Sequence, residues 1–182
     1  RRLERAWRTL YDAAIDQTIE QAKQVPVLIN YSVGKKRHEK TPDADDLALI
    51  ERIEHSRIPY WFPTDRMPEG GESRRPDDIG LTHAHHFYVY RSLWTLATLW
   101  KKADSASVRA ALLGGLSVGL KMSRFRVALL TSGTLYVPSI SGEQNWLNII
   151  KERSAAVIRH LDKIASGARR RTIVTTGSAT DI

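Results

Sequence analysis

Apolar side chains at Leu3, Trp7, Leu10, Tyr11, Ala14, Ile15, Ile19 and Ala22 recur at intervals of three and four. That spacing predicts an amphipathic helix over residues 2–23. The period then changes. Val27, Ile29 and Tyr31 alternate with Leu28, Asn30 and Ser32, and Gly34 stands at a turn position, so residues 27–40 read as a short hairpin. Pro42 and the acids of Asp43–Asp46 open a helix whose apolar face is Leu47, Ile50 and Ile53, ended by His55-Ser56. From Phe87 to Lys102 the pattern is apolar almost all round, which marks a helix packed on several sides. Ser105 or Ser107 can cap the next helix, which runs towards Val127 through Gly114, Gly115 and Gly119. These glycines allow close approach of a neighbouring helix. Thr134–Val137 alternates as a strand stopped by Pro138. Trp146, Ile149, Ile150, Val157, Leu161 and Ile164 define a long helix that Gly167 ends, and Thr172–Thr176 reads as a last strand.

The predicted class is therefore α+β, mostly helical with a few short strands. Residues 1–57 carry helix, hairpin and helix. Residues 58–87 form an irregular functional loop. Residues 88–171 are helical with one short strand, and 172–182 hold the final strand. The chain opens inside a helical pattern and closes just after a strand, so the expectation is an internal piece of a longer polypeptide.

The loop concentrates four of the seven prolines, three of the eleven glycines and three of the six histidines. A loop this long inside a compact domain has a task or is disordered, and its aromatic trio and apolar exit argue against disorder. Formal net charge is +8 over 182 residues, which favours polyanionic partners, nucleic acid first and an acidic membrane surface second. There is no cysteine, so disulfides and thiolate metal sites are excluded. No run is apolar and long enough to span a bilayer, no secretory signal is present, and a cytoplasmic location is the default expectation.

His83, His85 and His86 are the first chemical candidates. In extended chain His83 and His85 point the same way, with Asp77 and Asp78 near enough in sequence to add carboxylates. A metal site needs three or four convergent ligands, and no second His/Glu motif is visible. The preferred reading is a turn or cap with Thr82, the imidazoles bonding backbone or lining a site as polar groups. No metal ligand is assigned. Arg74-Arg75 and Lys35-Lys36-Arg37 are cation groups suited to phosphate, against the plainer reading of solvated faces or local ion pairs. Tyr60-Trp61-Phe62 can stack a displaced base or form a small core beneath the loop. The glycine-rich GGLSVG lacks the preceding strand and the Lys of a phosphate loop.

Four segments in order resemble one family, the bacterial and archaeal DNA methyltransferases of the amino (N6-adenine/N4-cytosine) type. They are INYSVGKKRHEKTPDADDLALIERIE, IPYWFPTDRMPEGGESRRPDDIGLTHAHHFYVYRSLWTLATLW, SGTLYVPSIS and TGSATDI, which together cover most of residues 27–182. The second segment is the specific one. That family carries a glycine-rich S-adenosylmethionine motif earlier and a catalytic Asp-Pro-Pro-aromatic motif shortly after the segment resembling TGSATDI. Neither lies within this chain.

The resemblance implies a segment between those two motifs, part of an α/β methyltransferase with an inserted helical region. Its last strand would rejoin the catalytic sheet, and the segment would be inactive by itself. The parent would transfer a methyl group from S-adenosylmethionine to the exocyclic amine of a flipped base. Asp181 falls where such enzymes place an acid near the cofactor adenine. Relatives carry a Cys-rich zinc module near the first matching segment, and the absence of Cys here means that zinc is not carried over. The expected partners are DNA and the remainder of the methyltransferase, with no membrane. Lys35, Lys36, Arg37, Arg74 and Arg75 are assigned to phosphates, and Tyr60, Trp61, His83, His85 and His86 to the wall facing the target. The competing classes are a non-catalytic helical interaction module and a His-dependent metalloenzyme.

Overall fold

The computed structural model describes residues 4–125 and 135–166. Two antiparallel hairpins come first, β1 (Trp7–Asp12) with β2 (Gln17–Ala22) and β3 (Ile29–Val33) with β4 (Lys36–Lys40). The helices are α1 (Ala44–Glu54), the one-turn α2 (Arg74–Asp77), α3 (Tyr90–Lys102), α4 (Ala106–Gly115) and α5 (Trp146–Ser166). Single 3-10 turns occupy Ala84–Phe87 and Leu116–Val118. The class is mixed α+β, as the sequence predicts.

The first element corrects the sequence reading: a hairpin replaces the helix expected over residues 2–23. The reason lies in the turn. The Asp12 carboxylate accepts the Ala14 N–H at 3.0 Å and the Asp12 carbonyl accepts the Ile15 N–H at 3.3 Å. Asp16 then takes a φ of 54°, the left-handed region that Asp tolerates better than most residues. This Asp-based reversal closes the hairpin without a glycine. The strand so formed alternates, with Arg8, Leu10 and Asp12 inward and Trp7, Thr9 and Tyr11 outward. In the second hairpin Gly34 turns at φ 61°, as expected.

Helix α1 starts at a reciprocal cap in which the Asp43 side chain accepts the Asp46 N–H and the Asp46 side chain accepts the Asp43 N–H, each at 3.0 Å. Lys40 binds both carboxylates, at 2.9 Å and 2.7 Å, and ties the end of β4 to this cap. Ser105 caps α4 by accepting the Val108 N–H. Ser105→Ala should cost about 1 kcal/mol in urea unfolding with an unchanged denaturant slope.

Two further boundaries differ from the pattern reading. Tyr88 and Val89 are extended, so α3 begins at Tyr90 and Phe87 belongs to the preceding 3-10 turn. Helix α4 stops at Gly115 instead of running on. A Cβ on Gly115 would lie 2.7 Å from Ile149, and one on Gly119 2.2 Å from the Trp146 ring. The glycines thus let α5 press its first turn against the end of α4, as the sequence suggested. Leu135–Val137 is not in a strand, because Leu135 and Val137 instead pack as single side chains against an apolar cluster. Thr134, Gly167 and the final strand Thr172–Thr176 lie outside the described residues.

The main core joins Leu96 of α3, Ala103, Leu112 of α4, and Trp146 and Ile149 of α5. The long loop is covered on both sides by its own apolar residues. Ile58, Tyr60 and Phe62 pack on Leu93, Trp94 and Ala97 of α3. Leu81 and Phe87 pack with Met122, flanked by Met67 and Ile79. α3 is therefore sandwiched, which is why its sequence is apolar almost all round.

Candidate functional site

The loop over residues 58–87 is held by its own hydrogen bonds. Met67 N–H donates to the Thr82 carbonyl and Ala84 N–H to the Asp65 carbonyl, each at 2.9 Å. The Arg66 guanidinium grips Asp77 through both nitrogens, at 3.2 and 2.8 Å, and also donates to the Thr82 carbonyl at 3.1 Å. One planar fork thereby joins α2 to the start of the His-rich turn. Asp77 is thus an ion-pair partner and not the metal-directed carboxylate considered from sequence.

The β1–β2 hairpin lies over this loop. Ala22 N–H donates to the Ile79 carbonyl at 3.0 Å, and Gly80 sits directly on the backbone of Glu20 and Gln21. Because Asp12 ends β1 on its inward face, the docking brings it onto the 3-10 turn. His85 Nε2 and His86 Nε2 donate to the same Asp12 Oδ2 at 2.7 and 2.8 Å. The three side chains are 7%, 3% and 11% exposed, for His85, His86 and Asp12. The His86 tautomer follows from its other nitrogen, since Nδ1 faces the N–H groups of Thr82 (3.2 Å) and His83 (3.3 Å). The imidazole of His86 does bond backbone, while the residue that begins the turn is His83 and not Thr82. His83 is half-buried, with its Nδ1 2.9 Å from Thr82 Oγ1.

The electrostatics follow from this packing. Burial works to raise the Asp12 carboxyl, yet the hydrogen bonds from His85, His86 and the Ala14 N–H outweigh it and hold the group far below the usual carboxylate range. Burial lowers His86, opposed by the Asp12 hydrogen bond and reinforced by His85 and Lys121. His83 is also lowered, by burial first and by its two neighbouring histidines and Arg66. Next to the turn, Lys121 is buried and its amine is brought down to about 7, by burial foremost and by Arg8, against the pull of Glu54. Arg8 and Glu54 pair at 3.3 Å between β1 and the last turn of α1.

The structure distributes the sequence-named residues over three settings. Lys35, Lys36 and Arg37 stand exposed at the tip and start of β4. Arg74 and Arg75 are exposed on α2, where Arg75 pairs with Glu72 at 3.2 Å. Tyr60 is half-buried edge-on to Trp94, with ring centroids 6.3 Å apart, whereas Trp61 is 68% exposed. His85 and His86 are sealed against Asp12. Asp181 lies outside the described residues. Asp12, Arg8, Glu54 and Lys121 were not candidates from sequence. Asp12 lies in the segment read as a helix, where the inward alternation Arg8-Leu10-Asp12 was hidden. Among the described residues Asp12 Oδ2 and the Nε2 atoms of His85 and His86 converge within 4.8 Å of one another, a cluster closed by its own hydrogen bonds.

Comparison with protein-family models, curated proteins and solved structures finds no match. Among the described residues no helix is long and apolar enough to cross a membrane.

Proposed function

We propose that the chain is the DNA-engaging segment of an S-adenosylmethionine-dependent amino-type DNA methyltransferase, acting with the cofactor-binding and catalytic parts of a larger protein. The observation that carries the reading is a set of exposed cations, Lys35, Lys36, Arg37 and Arg74, none of which is in an ion pair among the described residues. An unpaired surface cation gives up only water and counterions when it meets a phosphate. Trp61 stands exposed, with Tyr60 and Phe62 anchoring the backbone on either side. A rigidly presented indole is suited to stack on a base. In this reading Lys35, Lys36, Arg37, Arg74 and Arg75 contact phosphates, Trp61 faces the target, and His85 and His86 hold the loop from behind. S-adenosylmethionine would bind chiefly to the rest of the parent, with Asp181 as this chain's contribution.

The test is duplex affinity against salt, read by fluorescence anisotropy. Five phosphate contacts give a slope of about −4.5 in log affinity against log salt, a roughly 500-fold loss between about 50 and 200 mM. Replacing Lys35, Lys36 and Arg37 by serine should flatten that slope by about 2.7. Undetectable binding at low salt, or a slope that the triple variant leaves alone, removes this reading. A second reading, a helical interaction module, draws on Leu147, Ile158, Leu161 and Ile164, which α5 leaves exposed. Binding through that apolar stripe would be insensitive to salt, so the same titration separates the two.

A further inference from the structure

Resting on the DNA-engaging reading above, we propose that the β3–β4 hairpin enters the major groove of duplex DNA and reads base edges there through Asn30 and Ser32. Every residue from 30 to 39 is exposed, and among the described residues the sheet has these two strands and no third. A lone hairpin is marginal in water, and one that buries so little gains little from its own protein. Its base is nonetheless fixed. Lys40 is held by Asp43 and Asp46 at the cap of α1, and Ile29, its partner in register, is half-buried. A ribbon anchored at one end and exposed over the rest of its length suits insertion into a partner.

The kind of partner follows from charge and width. Lys35, Lys36 and Arg37 gather at the tip, none of them in an ion pair among the described residues. That concentration suits a polyanion and blunts the ribbon's edges against pairing with another strand. Two strands lie about 4.8 Å apart, and with their side chains they fill a major groove about 12 Å wide, but not a minor groove of about 6 Å. The major groove of A-form RNA is too narrow and deep to admit them.

The pleat decides which residues read. Pairing sets Tyr31 opposite His38 and Val33 opposite Lys36 on one face, and Asn30 opposite Glu39 and Ser32 opposite Arg37 on the other. The first face closes on itself, with the Tyr31 and His38 rings stacked at 5.3 Å. The second presents an amide and a hydroxyl, groups that hydrogen-bond base edges. Asn30 and Ser32 stand about 6.7 Å apart along the strand, close to two base-pair steps of about 3.4 Å. An Asn amide pairs with adenine, accepting from N6 and donating to N7. Asn30 is therefore assigned an adenine, and Ser32 a base two steps away. Glu39 has an interaction of its own and takes no base. Arg37, beside Ser32, is long enough to keep its phosphate at the groove wall.

The test selects from a random duplex DNA pool with the full chain, then measures affinities by fluorescence anisotropy. A preference for adenine at one position is expected. Replacing that adenine by 7-deazaadenine, which removes N7 from the major groove, should weaken binding roughly 10-fold. Asn30→Ala should abolish the preference with the salt slope unchanged, because Asn30 touches no phosphate. Asn30 is exposed, so the variant should melt with the unaltered chain, which separates lost readout from lost fold. Joint Lys35→Ser and Lys36→Ser should do the reverse, weakening all sequences alike and flattening the slope. Duplex RNA of matching sequence should bind more weakly than DNA. Duplex binding without base preference, a preference that survives Asn30→Ala, or equal affinity for duplex RNA overturns the groove reading and leaves phosphate contact standing. Self-association of the chain that Ser32→Pro breaks would put a second copy on the ribbon's edge and overturn it too. Undetectable DNA binding at low salt removes both readings.

Discussion

Replacing Lys121 by methionine should stabilise the protein at neutral pH by on the order of 4 kcal/mol, one of the two largest effects expected from a single substitution here. The Lys121 amine sits at about 7 in the folded chain against 10.5 for an ordinary lysine, and the residue is 7% exposed. Each unit of that difference is worth about 1.4 kcal/mol. The sign is fixed by proton counting. Between pH 7 and 10.5 the unfolded chain holds a proton on this lysine that the folded chain lacks. Stability contributed by this group therefore rises with pH across that window, and the penalty is fully present below it. Urea unfolding of the two proteins from neutral to alkaline pH should give a difference that is largest near pH 7 and shrinks towards pH 10.5. Parallel curves would sink the argument. Methionine suits the test because it keeps the unbranched stem and loses only the amine.

Gly80→Ala should destabilise the fold by several kcal/mol, well beyond the cost of the same change at Gly34. Both glycines adopt a positive φ, 78° and 61°. A side chain in that region costs roughly 1–2 kcal/mol by itself. At Gly34 that is the whole cost, because nothing lies within 4 Å of an added Cβ. At Gly80 the added carbon would stand 2.0 Å from the Glu20 carbonyl oxygen and 2.8 Å from Gln21 Cα. Those are backbone atoms of β2, which cannot rotate away. The hairpin must lift, and Asp12 must leave His85 and His86 with it. Denaturant melts of the two variants side by side check this, and equal losses for both would refute the docking contact.

The pattern of the chain disclosed most of the helical body and little of what the hairpins do. α1 and α5 carry an unambiguous apolar period, and α3 an apolar run long enough to be read as a helix. W-R-T-L-Y-D-A-A-I-D-Q-T-I-E-Q-A satisfies both a helical and a two-residue period, and its paired alanines favour the helix. The strand wins through Asp12 and Asp16, two acids whose local hydrogen bonds and left-handed tolerance no periodicity registers. Missing that reversal also hid the cluster. His85 and His86 were named, but their partner lies more than seventy positions upstream, and a lone acid in an alternating strand carries no motif. Reading His83 and His85 as an extended pair failed for a related reason. The turn at Ala84–Phe87 is a 3-10 helix, which brings adjacent residues 85 and 86 together on Asp12.

The Arg66 fork has a practical corollary. By joining Asp77 and the Thr82 carbonyl to the segment around Arg66, it fixes the neck of the loop independently of its tip. The tip, Glu69-Gly70-Gly71-Glu72, is exposed; a Cβ on Gly71 would meet nothing, and one on Gly70 only Ser73 Oγ, at 4.0 Å. Lengthening a loop whose neck is already closed costs only a slowly growing entropy, about 0.6 kcal/mol per doubling. The Gly70–Gly71 bond is accordingly a natural place to graft a fluorophore-bearing peptide, or to open the chain in a circular permutant, while the histidine turn behind it keeps its shape.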